Sequence, residues 1–81
     1  MNFFVYVIGS NKKTKITYVG WTTNIKKRIL KHNKGKGAKF TRGRKWKLLY
    51  YEKLKSKNIA MKREHEIKKN IKLRKKLRSK I

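Results

Sequence analysis

The chain contains no cysteine, and only three of its 81 residues are acidic, all of them glutamate. The absence of cysteine excludes a disulfide scaffold and the zinc fingers and ribbons that cysteine ligands build, and it is typical of a reducing compartment. Two histidines are too few to build a typical zinc site alone. Long apolar runs are also missing, since the run at residues 3–8 is far too short to span a bilayer and has no basic segment before it.

These absences and the short length predict one domain over residues 1–81, in the cytoplasm and without a membrane partner. A chain of this size buries only about 60% of the surface that its unfolded form exposes, so it has no room for a second domain.

Positive charge is what the chain has in excess. Its 27 lysines and arginines give a formal net charge of +24 at pH 7. Charge of one sign at this density opposes compaction, and a polyanionic partner would relieve the repulsion, so nucleic acid is the leading candidate partner. Lysines outnumber arginines by 21 to six. This ratio favours phosphate neutralisation over bidentate base reading and predicts weak sequence preference.

Three short segments have the composition and alternation of β-strands, at residues 2–9, 16–20 and 46–52. The first two are close enough in sequence to form a hairpin, which brings Tyr6 and Tyr18 into neighbouring positions. In the third segment, alternation assigns Trp46, Leu48 and Tyr50 to one face of the sheet. The segments together predict a small three-stranded sheet.

A helix is predicted after the second strand, with Thr22, Thr23 or Asn24 as its cap and Gly35 as its stop. Its inward stripe is predicted to be Ile25, Ile29 and Leu30. Arg28 and His32 are four residues apart and share a neighbouring stripe. Each has a structural alternative, since Arg28 can be a solvated charge and His32 a cation that favours the helix dipole.

The segment at residues 35–45 interleaves three glycines with five basic residues and one aromatic residue. Glycines let the backbone approach a phosphate and the cations neutralise it, which predicts nucleic-acid contacts from Lys36, Lys39, Phe40, Arg42 and Arg44. The spacing is not that of a Walker loop. A flexible basic loop without a specific role is the alternative.

A second helix is predicted after Ser56 or Asn58, with Ala60, Glu64, Ile67 and Ile71 recurring at the spacing of a buried stripe. Glu64 lies inside this apolar line, where a carboxylate is costly unless a cation or a metal ion meets it. Glu66 is expected to face solvent. The structural alternative is that Glu64 merely pairs with Lys68, worth about 0.2–0.5 kcal/mol in an isolated helix.

A single inward carboxylate limits the chemistry. A two-metal nuclease site needs a cluster of acidic ligands, and this chain has three glutamates and no aspartate. One hydrated Mg²⁺ needs only one or two carboxylates and the phosphates of its substrate. Phosphodiester cleavage also needs a proton acceptor and a cation for the developing charge, and Tyr6, Tyr18, Arg28 and His32 are of the right chemical types.

These residues carry a resemblance to a known family. "FVY" at residues 4–6 and "YVG" at residues 18–20, followed by Arg28 and His32 on one helix and Glu64 on a later one, resemble the GIY-YIG nuclease superfamily. The phrases "GKGAKFTRGR" and "AMKREHEIKK" are similar to segments of its small standalone YhbQ-like branch. The resemblance covers about residues 3–70.

The resemblance implies a role for each matching residue. Tyr6 would be the general base that activates water, directly or through a metal-bound shell, and Tyr18 would orient the water or the scissile phosphate. Arg28 would stabilise charge on the transferred phosphoryl group. His32 would assist proton transfer or hold a phosphate oxygen, and Glu64 would bind the metal ion.

Gly20, Trp21 and the basic carboxyl-terminal segment also have expected roles. Gly20 would allow a close approach of backbone or substrate, and the large Trp21 beside it could stack on an unpaired base or cover the core. Residues 68–81 are predicted to form a basic helix or tail, with Leu73, Leu77 and Ile81 packing one stripe on the body.

We therefore expect a small α/β (α+β) domain in which helices flank a three-stranded antiparallel sheet. The expected activity is Mg²⁺- or Mn²⁺-dependent endonucleolytic cleavage of DNA, directed by branched, flapped or nicked structure rather than by sequence. The alternative is a non-catalytic binding protein for DNA or RNA on the same scaffold. A third possibility is a subunit whose specificity comes from a partner protein.

Overall fold

A three-stranded antiparallel sheet with helices on both faces forms the computed structural model, which describes residues 2–81. The strands are β1 (Phe3–Ser10), β2 (Ile16–Thr22) and β3 (Lys47–Leu54), in the order β2-β1-β3. The helices are α1 (Ile25–Asn33), α2 (Lys57–Lys69) and α3 (Ile71–Arg78), with a 3₁₀ turn at Lys39–Thr41. The predicted α+β class and the antiparallel three-stranded sheet are confirmed.

The central strand β1 is buried on both faces because it lies between two other strands and two layers of helix. Val5 and Val7 are 0% exposed and pack in a cluster with residues of α2 and α3. Tyr6 and Ile8 point to the opposite face, where they pack against Ile29 of α1. The predicted alternation of this strand therefore places Tyr6 on the α1 side of the sheet.

Strand β3 contains an irregularity that the alternation did not predict. Val7 pairs with Tyr50 and Ile8 pairs with Leu48, so Leu49 is an extra residue in the ladder. An extra residue reverses the facing of everything beyond it. Leu48 packs with Trp46 on the α1 side, but Tyr50 packs on the α2 side. The prediction that Trp46, Leu48 and Tyr50 share one face is therefore wrong for Tyr50.

Helix α1 begins as expected, since the Asn24 side chain accepts a hydrogen bond from the Lys27 amide. Its inward stripe differs from the prediction, because Leu30 is 57% exposed. At 3.6 residues per turn, Leu30 lies roughly 140° around the helix from Ile25, whereas His32 lies within about 20° of it. His32 is accordingly 0% exposed, and it takes the inward place that was assigned to Leu30.

Helices α2 and α3 are separate. The Ser56 side chain caps α2, and Asn70 ends that helix and caps α3 by accepting a hydrogen bond from the Leu73 amide. Because the chain turns at Asn70, the stripe predicted to continue to Ile71 is interrupted, and Ile71 is 67% exposed. Leu77 is buried as expected. None of the helices within residues 2–81 is long and apolar enough to cross a membrane.

Candidate active site

The phenol of Tyr6 lies over Gly20 of the neighbouring strand. The two residues are direct partners in the β1–β2 ladder, and Tyr6 is only 1% exposed. A Cβ atom on residue 20 would lie 2.5 Å from the Tyr6 Oη. Glycine therefore provides the space that the phenol occupies, which gives a physical reason for a glycine at this position.

Two basic side chains of α1 contact the Tyr6 oxygen. The His32 Nε2 lies 2.7 Å from Oη, and the Arg28 Nε donates a hydrogen bond to Oη at 3.4 Å. Burial raises the pKa of the Tyr6 phenol above its ordinary value of 10.0, and the hydrogen bond and charge of Arg28 oppose this rise. The phenol is therefore protonated at neutral pH, and it is held beside a nitrogen and a guanidinium.

His32 is buried beneath the segment that follows α1. Its Nδ1 lies 2.8 Å from the Thr41 Oγ1, and Gly37 packs so closely on the ring that an added Cβ would collide with it. Burial lowers the pKa of His32 below 6.5, and the positive charge of Arg28 adds to this effect. The imidazole is thus neutral at neutral pH, so one of its nitrogens can accept a proton.

Tyr18 joins the same cluster from β2. Its ring centroid is 5.2 Å from that of His32, in an edge-on arrangement, and 6.1 Å from that of Phe40, nearly stacked. In the ladder Tyr18 faces Ile8 rather than Tyr6. Both tyrosines nevertheless contact the imidazole from the same face of the sheet, as neighbouring positions in the hairpin predicted.

Glu64 of α2 is partly buried, with 20% of its side chain exposed. Its Oε1 lies 2.8 Å from the Lys68 Nζ, so the ion pair considered as the structural alternative is formed. The negative charge of Glu64 adds, after burial and Tyr18, to the rise in the pKa of Tyr6. Glu64 is therefore a partly buried carboxylate that is paired with a lysine.

The other two glutamates have structural partners. Glu66 is 52% exposed and lies 3.7 Å from Arg63, which agrees with its expected position facing solvent. Glu52 accepts two hydrogen bonds from Arg63, at 2.7 and 2.9 Å, and a third from the Tyr50 hydroxyl. The Arg63 hydrogen bond holds the pKa of the Glu52 carboxyl below its ordinary value. This network joins β3 to α2.

The basic segment of residues 35–45 lies beside the tyrosines. Phe40 is 59% exposed, and Lys36, Lys39 and Arg42 are exposed as well. Arg44 differs from them, because its guanidinium donates hydrogen bonds to the Lys12 and Thr14 carbonyls of the β1–β2 turn. Nucleic-acid contacts of these five residues stay predictions, and for Arg44 the structure adds a role in holding the turn.

Thr41 is a site residue that sequence reasoning missed. It is 0% exposed, its hydroxyl contacts His32, and its carbonyl accepts a hydrogen bond from the Trp46 Nε1 at 2.8 Å. A threonine between lysines and arginines has the appearance of a solvated loop residue. No periodicity marks it, since its burial depends on the 3₁₀ turn that folds the segment over α1.

Trp21, whose role the sequence left open, covers the core with part of its ring. It packs against Phe3 at a centroid distance of 6.4 Å, and the Lys57 Nζ lies 5.6 Å from its ring centroid. It also lines a shallow cavity of about 390 Å³ together with Arg28. Within residues 2–81, no group of three or more histidine, cysteine, aspartate or glutamate side chains is placed to hold a metal ion.

Comparison with known proteins gives a family match over nearly the whole chain. A family model described as the GIY-YIG catalytic domain matches residues 2–78. A UPF0213 protein of Natronomonas pharaonis is 47% identical over 66 residues, which are 80% of this chain and 75% of that protein. A UPF0213 protein of Clostridium perfringens is 48% identical over 67 residues, covering 82% and 70% of the two chains.

A solved structure is similar as well. The solution NMR structure of the UPF0213 protein BH0048 from Bacillus halodurans has a TM-score of 0.52 and 41% sequence identity. The match covers 98% of this chain and 84% of that one.

Proposed function

Because this chain belongs to the GIY-YIG family, as its sequence predicted, we propose that it is a divalent-metal-dependent endonuclease that hydrolyses phosphodiester bonds in DNA. The observation that carries the proposal is the position of the Tyr6 hydroxyl, 2.7 Å from a neutral imidazole and within hydrogen-bonding distance of a guanidinium. A buried phenol held in this way has a proton acceptor and a cation at one oxygen, which are the requirements of a general base for water.

The proton movements follow from these contacts. As the water attacks, its proton moves to the Tyr6 oxygen while the Tyr6 hydroxyl proton moves to the His32 Nε2, so no free phenolate has to form first. The water oxygen forms a bond to phosphorus while the bond from phosphorus to the leaving oxygen breaks; the leaving oxygen takes a proton from solvent, and the His32 imidazolium returns its proton to solvent. Arg28 stabilises the negative charge that develops on the Tyr6 oxygen and on the phosphoryl oxygens during the attack. Tyr18, which also packs on the imidazole, orients the water or the phosphate.

Glu64 is the residue that we propose as the metal ligand. Its side chain is 20% exposed and paired with a lysine, whereas Glu52 is held by Arg63 and Tyr50, and Glu66 is 52% exposed. A single carboxylate is sufficient for hydrated Mg²⁺ or Mn²⁺ when the phosphates of the substrate complete the coordination. Such an ion would supply Lewis-acid stabilisation of the phosphoryl and leaving oxygens. Glu64 would exchange its lysine partner for the ion.

The substrate is proposed to be DNA of branched, flapped or nicked structure. Three exposed cations beside the site suit a phosphate backbone: Lys36, Lys39 and Arg42. Their spacing does not favour the recognition of particular bases. Phe40 offers an exposed ring for stacking on an unpaired base. A net charge of +24 supplies attraction that is independent of sequence.

A non-catalytic nucleic-acid-binding protein is the second candidate, and one observation favours it. The Glu64 carboxylate is paired with Lys68, and the Tyr6 hydroxyl is almost completely buried. Both groups would have to be reached by the ion and the water before cleavage, whereas binding through exposed lysines requires no such change.

A nicking assay on labelled flapped, branched, nicked and linear DNA, with Mg²⁺ or Mn²⁺, separates the two candidates. Glu64→Gln keeps the shape of the side chain and removes its charge, so we expect at least about a 100-fold loss of the nicking rate with little change in affinity. Glu66→Gln is the matched control on the same helix, expected to nick at the wild-type rate. Wild-type protein that binds but never nicks would contradict the proposal, and loss of nicking in the Glu66 variant alone would show that the wrong carboxylate was chosen.

A further inference from the structure

The Thr41 hydroxyl lies between two possible hydrogen-bond partners, and its geometry determines which nitrogen of His32 carries the proton. The Thr41 Oγ1 is 2.8 Å from the Ala38 carbonyl oxygen and 2.8 Å from the His32 Nδ1. A hydroxyl has one proton, and a carbonyl oxygen can only accept. The hydroxyl therefore donates to Ala38 and accepts from Nδ1–H.

The proton at Nδ1 leaves the Nε2 lone pair free, and this lone pair points to Tyr6. The Oη–Nε2 distance of 2.7 Å then belongs to a hydrogen bond that Tyr6 donates. Arg28 donates to the same oxygen, so the phenol has one bond given and one accepted. All three hydrogen bonds are therefore donated in the same order: Tyr6 donates to His32, His32 donates to Thr41, and Thr41 donates to the carbonyl of Ala38.

The opposite tautomer is costly at two points. With the proton on Nε2, the Tyr6 oxygen would accept from both His32 and Arg28, and its own buried O–H would have no acceptor. The Thr41 hydroxyl would donate to Nδ1, which would leave two oxygen atoms 2.8 Å apart with no proton between them. A buried donor without a partner is costly, which makes this tautomer a minor form.

We propose that Thr41 is a positioning residue that fixes His32 in the Nδ1–H tautomer and so makes Nε2 the acceptor of the Tyr6 proton. The charged and titratable groups that face the imidazole are Tyr6 from β1, Tyr18 from β2 and Arg28 from α1, and none of these forms a hydrogen bond with Nδ1. The catalytic meaning of this role rests on the proposed function, because it matters only if Tyr6 is the base.

The surroundings of Thr41 hold it in this role. The Trp46 Nε1 donates to its carbonyl at 2.8 Å, and the absence of a side chain at Gly37 lets the segment close over the ring. Thr41 and His32 are both 0% exposed, so water does not compete for their hydrogen bond. The 3₁₀ turn therefore positions a side chain of the site, apart from the phosphate contact proposed for its Lys39.

The direct test is the ring-nitrogen NMR spectrum of ¹⁵N-labelled protein, which distinguishes the two neutral tautomers without any nuclease assay. We expect His32 to be almost entirely in the Nδ1–H form, with the exposed His65 as an internal reference for an unconstrained ring. Thr41→Ser retains the hydroxyl and should retain this tautomer. Thr41→Val has nearly the same shape without an acceptor, and the share of the Nδ1–H form should fall.

Kinetics of nicking connect the tautomer to catalysis. Thr41→Val should lower kcat at least about tenfold with little change in KM for DNA, and Thr41→Ser should restore most of it. The Nε2–H form of His32 in the wild-type protein would overturn the proposal, even if Thr41→Val fails to fold. A folded Thr41→Val protein with an unchanged tautomer and an unchanged kcat would overturn it as well. The expected tautomers in a protein that never nicks would uphold the role of Thr41 and contradict the proposed function instead.

Discussion

The close contact between Gly20 and Tyr6 leads to a quantitative prediction for Gly20→Ala. The added Cβ would lie 2.5 Å from Oη, 2.8 Å from Cζ and 3.1 Å from Cε1 of Tyr6, whereas ordinary contacts are 3.4–4 Å. Gly20 lies within a strand and has no positive φ, so alanine is compatible with its backbone. The effect of the substitution therefore comes from displacement of the phenol, by about 1 Å.

A shift of this size is enough to break the hydrogen bond to His32. The Oη–Nε2 distance is 2.7 Å, and about 1 Å more exceeds the range of a hydrogen bond. A misplacement of about 1 Å at a reacting group can reduce the rate by about 100-fold. Overpacking should also lower the free energy of unfolding by about 1–3 kcal/mol. We expect a folded, less stable protein that still binds DNA and has a nicking kcat reduced by about 100-fold.

Gly43→Ala is the control for lost stability. Gly43 has a φ of +77° and no atom within 4 Å of an added Cβ, so alanine strains the backbone there by about 1–3 kcal/mol without touching Tyr6. Thermal unfolding gives the stability of both variants, and single-turnover nicking at saturating DNA gives their rates well below both melting temperatures. A Gly20→Ala protein that nicks as fast as the Gly43 variant would refute the argument that the position of the phenol determines the rate.

Two further predictions follow from pKa shifts. Because Arg63 lowers the pKa of Glu52 in the folded protein, this pair stabilises the fold above pH 4.5, and the contribution is lost as the pH falls through the lowered value. Glu52→Gln should therefore lower the free energy of unfolding in urea by about 1 kcal/mol at pH 7 and by much less at pH 3. An equal loss at both pH values would contradict this. Because the pKa of His32 is lowered, the acid limb of the pH–rate profile for nicking should lie below pH 6.5. An acid limb at or above pH 6.5 would show that the imidazole is not desolvated as described.

The periodicity of the sequence predicted the strands and helices well where each element is regular. The alternation of β1 placed Tyr6 and Val7 on opposite faces, as found. The errors lie where regularity ends. The extra residue Leu49 reverses the facing of Tyr50, and the turn at Asn70 exposes Ile71. A bulge and a helix break depend on long-range packing, so the local periodicity of the sequence does not predict them.

The site was predictable in its residue types but not in its connections. Chemistry and resemblance identified Tyr6, Arg28 and His32, which the structure brings together at one phenol oxygen. The sequence offered an inward Glu64 and its pairing with Lys68 as alternatives, whereas the structure has a partly buried Glu64 that is also paired, because partial burial depends on how α2 packs. Thr41 could not be found from its neighbours, since its contact with His32 exists only after the segment folds over α1.

The most direct test of the central claim is the initial rate of nicking of a flapped DNA by wild-type protein and by Glu64→Gln, measured with Mg²⁺ and again with excess chelator. The account predicts nicking by wild-type protein with Mg²⁺ only, and a rate at least about 100-fold lower for the variant at equal DNA binding. Equal nicking by both proteins, or nicking that persists in chelator, would contradict a metal-assisted site built around Tyr6 and Glu64.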